Sequence, residues 1–170
     1  MKNKSTLYLT QGAMIAAVYV VLTFIFAPFS FGEVQIRISE ALTILACFTP
    51  AAIPGLFVGC LIGNIIGGAI LPDIIFGSIA TLLGAAGTWM LRKKNRFLAP
   101  LPPIIANTII VPLVLRFGYG VNLPIPLMML TVGAGEVISC GVLGLILQTV
   151  LMKYGKSLFP DYQASNEGRA

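Results

Sequence analysis

Charged residues divide this chain into long apolar stretches. No charge occurs between Ser5 and Gly32, and Leu7 to Ala27 forms a run of about 21 residues ahead of Pro28. That is enough helix to cross a hydrocarbon core of about 30 Å. Lys2 and Lys4 precede the run as in a leader peptide, but Pro28-Phe29-Ser30-Phe31 follows where small cleavage-site residues belong. The pattern therefore predicts a retained first helix. Charges return at Glu33, Arg37 and Glu40, then vanish from Ala41 to Pro72. Pro50 and Pro54 interrupt this second stretch. It divides into a short second helix, about Ile38 to Phe48, and a third, about Ala51 to Leu71. A segment as short as the second must be buried in protein or line a cavity, because lipid cannot satisfy its free backbone groups.

Asp73 opens a fourth segment that runs to Leu91, an acidic residue where the helix dipole favours one; it could also serve only as a cap. The fifth runs from Pro102, a good helix start, to Leu115, and Pro112 predicts a kink within it. Gly118 to Pro126 is rich in turn residues. The sixth, Ile125 to Met152, carries one interior charge, Glu136. Residues 1–155 thus form a single six-helix transmembrane domain, and 156–170 a polar cytoplasmic tail. The fold class expected is an all-α membrane protein.

Composition supports lipid as the solvent. Of 170 residues, 57% are hydrophobic and 10% charged, and the mean hydropathy is +0.93. A soluble domain is about 25% charged, and one this small cannot hide so much apolar surface. There is no histidine, which removes Ser-His-Asp and Cys-His catalysis and His metal sites. Cys47, Cys60 and Cys140 lie inside apolar runs with no metal or redox spacing, and read as small buried side chains. Gly155-Lys156-Ser157 ends like a phosphate-binding loop, but Val150 stands where its first glycine belongs. An enzyme is the least favoured class.

The net charge of +5 is explained by topology, without nucleic acid. Six segments put both termini on one side. Lys2, Lys4, Arg92, Lys93, Lys94, Arg96, Lys153, Lys156 and Arg169 fall there, against Arg37 and Arg116 opposite. The positive-inside rule makes that side cytoplasmic. Gly55, Gly59, Gly63 and Gly67 form a one-face stripe that suits packing inside the bundle. Ala13 and Ala17, beside Gly12 and Ala16, form a small-residue face suited to docking another membrane protein.

Polar groups at membrane depth are costly and mark candidate sites. They are Gln35, Arg37, Ser39, Glu40, Asn64, Asp73, Asn107 and Glu136. Gln35 to Glu40, Asp73 and the end of the third helix fall near the outer face; Asn107 and Glu136 fall deeper. Together they suit one pocket opening outward. Each also has a structural use: Arg37 and Glu40 as a helical i,i+3 pair, Asn64 and Asn107 as interhelical hydrogen bonds.

Five stretches carry a resemblance: GEVQIRISEAL (Gly32 to Leu42), IPGLFVGCLIGNIIGG (Ile53 to Gly68), DIIFGSIATLL (Asp73 to Leu83), PPIIAN (Pro102 to Asn107) and GEVISCGVLGL (Gly135 to Leu145). They resemble the QueT family, substrate-binding S-components of energy-coupling factor (ECF) transporters. The resemblance covers residues 7 to 152. It implies a six-helix bundle with a ligand pocket near the outer surface, lidded by the first extracellular loop, in a prokaryotic cell membrane. The implied substrate is a queuosine precursor, queuine or another 7-deazaguanine base. The implied partners are a membrane T-component, docked at Ala13 and Ala17, and two cytoplasmic ATPase subunits. No cofactor or metal is implied. Toppling of the loaded subunit would release ligand inside.

A guanine-like edge fits the polar set. Glu40 or Glu136 suits its N–H donors, Asn64 or Asn107 its carbonyl and a ring donor. Arg37 suits the carbonyl or holds Glu40. Asp73 suits an aminomethyl cation, and Phe29, Phe31 or Tyr119 stacking. Competing readings are an S-component for another small vitamin, a self-sufficient oligomeric transporter, and a structural membrane protein without ligand.

Overall fold

A computed structural model describes residues 4–30 and 36–154. Gln35, Phe31 and the 156–170 tail lie outside the described residues. Among them every regular element is a helix: α1 (Lys4–Ile25), α2 (Ala27–Ser30), a 3₁₀ helix (Ile38–Cys47), α3 (Ala52–Ile66), α4 (Leu71–Leu91), a 3₁₀ turn (Arg96–Leu98), α5 (Leu101–Phe117), α6 (Ile125–Glu136), a π-helical segment (Val137–Leu143) and α7 (Gly144–Tyr154). The last three form one continuous rod. Four stretches, Ser5–Ile25, Leu71–Leu91, Arg96–Phe117 and Ile125–Tyr154, are long and apolar enough to cross a membrane, while Ile38–Cys47 and Ala52–Ile66 are shorter apolar helices.

The surface is inverted relative to a soluble protein. Leu9, Phe24, Met90 and Leu130 face outward, whereas Glu40, Asn64, Asp73, Thr81 and Asn107 are buried. Outward aliphatics around a polar interior are stable only where the surroundings are apolar.

Close backbone approach sets the packing. A Cβ on Gly55 would lie 2.6 Å from the Gly12 carbonyl oxygen; one on Gly59 would lie 2.9 Å from Tyr19 Cβ and 3.1 Å from Ala16 Cα; one on Gly63 would sit 3.4 Å from Thr23. The ascending order along both helices shows that α1 and α3 run parallel. The stripe thus packs internally, as its spacing suggests, except that Gly67 is the exposed C-cap of α3. Gly84 and Gly87 admit Pro103 and Pro102 in the same way, closing α4 on α5.

One helix type and two boundaries add to the sequence expectation or depart from it. The second helix is 3₁₀ rather than α. It lies beside α1, tied by Thr23 to Ser39 (2.9 Å) at one end and Thr49 to Gln11 (2.9 Å) at the other. The stretch of α1 between those ties is about 18 Å long at α-helical rise. Ten residues at the 3₁₀ rise cover about 20 Å, whereas as an α-helix they reach only about 15 Å. The third helix stops at Ile66 rather than Leu71, because Gly68 turns the chain at φ +73°. The fourth starts at Leu71 with Ile70 as its N-cap, so Asp73 is not a cap. Pro112 is accommodated within α5, which stays helical to Phe117.

A buried two-layer polar site

The ends of α1, α3 and α5 and the starts of α4 and α6 meet at one rim of the bundle, and a polar layer lies there. Arg37, just before the 3₁₀ helix, reaches Asp73 in the first turn of α4, Nη2 to Oδ2 at 3.5 Å. Tyr119, in the α5–α6 loop, donates to the same oxygen at 3.1 Å and accepts from the Ile70 amide at 3.4 Å. Burial, reinforced by the charge of Asp73, pushes the Tyr119 phenol above its ordinary range, which keeps it a donor. Asn64 of α3 donates to the Asp73 carbonyl at 3.3 Å. Gly77 makes room for the group: a Cβ there would lie 3.0 Å from Asp73 Oδ1 and 3.2 Å from Asn64 Nδ2. Among the described residues the ion pair of Arg37 is thus with Asp73, on another helix, rather than the i,i+3 pair with Glu40.

A second layer lies deeper. Thr81 is eight residues beyond Asp73 on α4, about 12 Å along the axis. Glu40, wholly buried, is its centre. Its Oε1 accepts from Tyr19 of α1 at 2.5 Å and Thr81 at 2.8 Å; its Oε2 accepts from Asn107 of α5 at 3.5 Å. Glu136, at the end of α6, accepts on Oε2 from the Cys140 thiol at 3.3 Å. That thiol also lies 3.4 Å from the Glu40 carbonyl oxygen. One ligand atom from each of Glu40, Glu136 and Cys140 falls within 4.8 Å of the others. The π-helical segment that follows Glu136 holds Cys140; such local widening of a helix recurs at functional sites. Cys60 joins the layers, accepting from Asn64 at 3.6 Å and Thr81 at 3.4 Å.

Of the residues expected from sequence, Arg37, Asn64 and Asp73 meet in the rim layer, and Glu40, Asn107 and Glu136 in the inner one. Gln35 lies outside the described residues. Ala13 and Ala17 are exposed on α1, on the side away from the α3 contact made by Gly12 and Ala16. All three cysteines are free and buried, but Cys60 and Cys140 take part in polar contacts, which their apolar settings did not suggest. Tyr19 and Thr81 were missed as donors to Glu40. A lone threonine in an apolar helix is a weak signal, since its hydroxyl can bond its own preceding turn, and a lone tyrosine reads as an ordinary amphipathic aromatic.

An apolar exterior, helices long enough to span, and a layered polar interior drawn from several segments define an all-α membrane protein built around a buried site. Residues 9–153 match the QueT transporter family, and the chain belongs to that family. The queuosine precursor transporter QueT of Lactococcus lactis subsp. cremoris (strain MG1363) is 34% identical over 85 residues, 49% of this chain and 50% of that relative. The match thus spans about half the length of the curated relative. No solved structure matches the chain significantly.

Proposed function

We propose that this chain is the substrate-capturing S-component of an ECF-type importer for a queuosine precursor, queuine or another 7-deazaguanine base. The observation that carries the reading is the inner layer: two carboxyl groups and an amide, on three segments, buried within a bundle whose exterior is apolar. Buried ionisable groups at membrane depth are expensive and are kept for ligands or ions. The family match and the printed name of the relative support the substrate class.

In this reading six segments cross or enter the cell membrane of a prokaryote, residues 1–155 form one domain, and both termini face the cytoplasm. Lys4, Arg92, Lys93, Lys94, Arg96 and Lys153 then lie inside, with Arg37 and Arg116 outside. Arg92 stacks on Trp89 at 3.2 Å, an aromatic anchor suited to the inner interface. The rim layer faces outward, and Gln35, Arg37, Glu40, Asn64, Asp73, Asn107 and Glu136 bind substrate. The chain is not an enzyme. Its described residues offer no phosphate-binding loop, so energy comes from a membrane T-component and two cytoplasmic ATPases. The T-component docks on the exposed Ala13/Ala17 face, and toppling of the loaded subunit releases substrate inside.

Reconstitution tests this reading. Proteoliposomes holding the chain with T-component and ATPases should take up labelled aminomethyl-deazaguanine only with ATP. Equal uptake by the chain alone, without ATP, would establish a self-sufficient transporter instead.

A further inference from the structure

The inner layer has more acceptor capacity than its own donors fill. Two carboxyl groups this close share a proton, and together they still offer about seven acceptor positions. Among the described residues, the contacts made to them come from four groups: Tyr19, Thr81, Asn107 and Cys140. The amide oxygen of Asn107 is a third acceptor; the residue is 1% exposed, and Oδ1 has no partner. Asn107 is part of the cluster, since its Nδ2 is the group that reaches Glu40 Oε2. That contact, at 3.5 Å, lies at the outer limit of a hydrogen bond, well beyond the usual 2.9–3.0 Å. Glu40 Oε2 is therefore the least engaged of the two oxygens of Glu40. A buried polar atom without a partner costs stability unless something fills it.

From this surplus we infer that Glu40, Asn107 and Glu136 form a subsite selective for a planar edge bearing adjacent N–H donors, and that these three residues, rather than the Arg37–Asp73 pair, read the 2-amino-pyrimidinone edge of the substrate. The inference rests on the proposed transport of a 7-deazaguanine. The rim layer also holds an open acceptor, Asp73 Oδ1. It offers a single carboxylate, however, whose charge Arg37 already offsets and whose Oδ2 takes both Arg37 and Tyr119, whereas the inner layer brings two carboxyl groups and an amide together. Ring N–H and exocyclic 2-amino group together supply three donors in one plane. Glu40 Oε2 accepts one of them as a charge-assisted bond, and Glu136 and Asn107 Oδ1 suit the other two. A site built to accept such donors discriminates against an analogue lacking them, because its own polar atoms are then left unpaired.

The test is calorimetry on the purified full chain, comparing aminomethyl-7-deazaguanine with the matched compound lacking the 2-amino group. The 2-amino compound should bind about 10- to 100-fold more tightly. Glu136→Gln, which swaps one acceptor oxygen for a donor, should shrink that ratio towards one. Equal affinity of the intact chain for the two compounds would overturn the inference while leaving the transporter reading intact, and it needs no variant to fold. Binding of neither compound would sink the transporter reading itself. Binding that a chelator abolishes and calcium or magnesium restores would make the cluster a metal site and also overturn the inference.

Discussion

Adding a methyl group at Gly55 tests the packing that holds the site. The new Cβ would lie 2.6 Å from the carbonyl oxygen of Gly12 and 3.1 Å from its Cα. Ordinary contact begins near 3.4 Å, so α1 and α3 must separate by several tenths of an ångström, and backbone cannot swing aside as a side chain can. Overpacking of this kind costs about 1–3 kcal/mol. For a chain of this size each kcal/mol shifts the midpoint by about 2–4 °C, so Gly55→Ala should melt about 2–12 °C below the parent in detergent. The same stripe supplies its own control. At Gly63 the added carbon meets Thr23 at 3.4–3.5 Å, which is ordinary contact, and alanine is the better helix former by about 1 kcal/mol. Gly63→Ala should melt at or slightly above the parent. Gly59→Ala should be intermediate in stability but worse in ligand binding, because its Cβ presses on Tyr19, a donor to Glu40. Thermal melts followed by circular dichroism give the order. If Gly55→Ala and Gly63→Ala melted alike, the close parallel approach of α1 and α3 would be wrong.

Further outcomes follow from the two layers and the exposed face. Thr81→Val keeps the shape but removes a hydroxyl donor 2.8 Å from Glu40; it should cost about 1–3 kcal/mol, read as a lower melting temperature. A double-mutant cycle of Arg37→Gln and Asp73→Asn should return a coupling of about 0.5–3 kcal/mol; additive losses would mean the pair contributes nothing as a pair. Ala13→Trp with Ala17→Trp should leave ligand binding by the isolated chain unchanged and abolish ATP-driven uptake with the partners; full uptake would remove that face from the docking account.

Because burying or exposing a charge in lipid leaves few alternatives, the long apolar runs and their charged punctuation located the six main segments, though not the short helix Ala27–Ser30 or the π-helical segment Val137–Leu143. Finer boundaries depended on tertiary distance. The 3₁₀ form of Ile38–Cys47 follows from the gap between its two ties to α1, which no local pattern encodes. The split of the polar residues into two layers was half legible. Asn107 and Glu136 read as deep from their positions in long helices, whereas Glu40 read as a rim residue beside Arg37. It turns inward because the descending 3₁₀ helix carries it below Ser39. Thr81 was hidden for a chemical reason, while Tyr19 and Cys140 read as ordinary apolar packing residues. Hydroxyls in apolar helices often bond the preceding turn, as Ser78 does to Ile74 and Thr149 to Leu145. Nothing in the sequence separates those from Thr81, which reaches across to another segment.

The central claim is that this chain alone holds the substrate at the inner layer. The most direct measurement is a calorimetric titration of the purified, folded chain with aminomethyl-7-deazaguanine, without T-component or ATPases, for the parent and for Glu40→Gln. The account expects one-to-one binding by the parent and a loss of about tenfold or more in the variant. Undiminished binding by Glu40→Gln, or no binding by a parent shown to be folded, would contradict it.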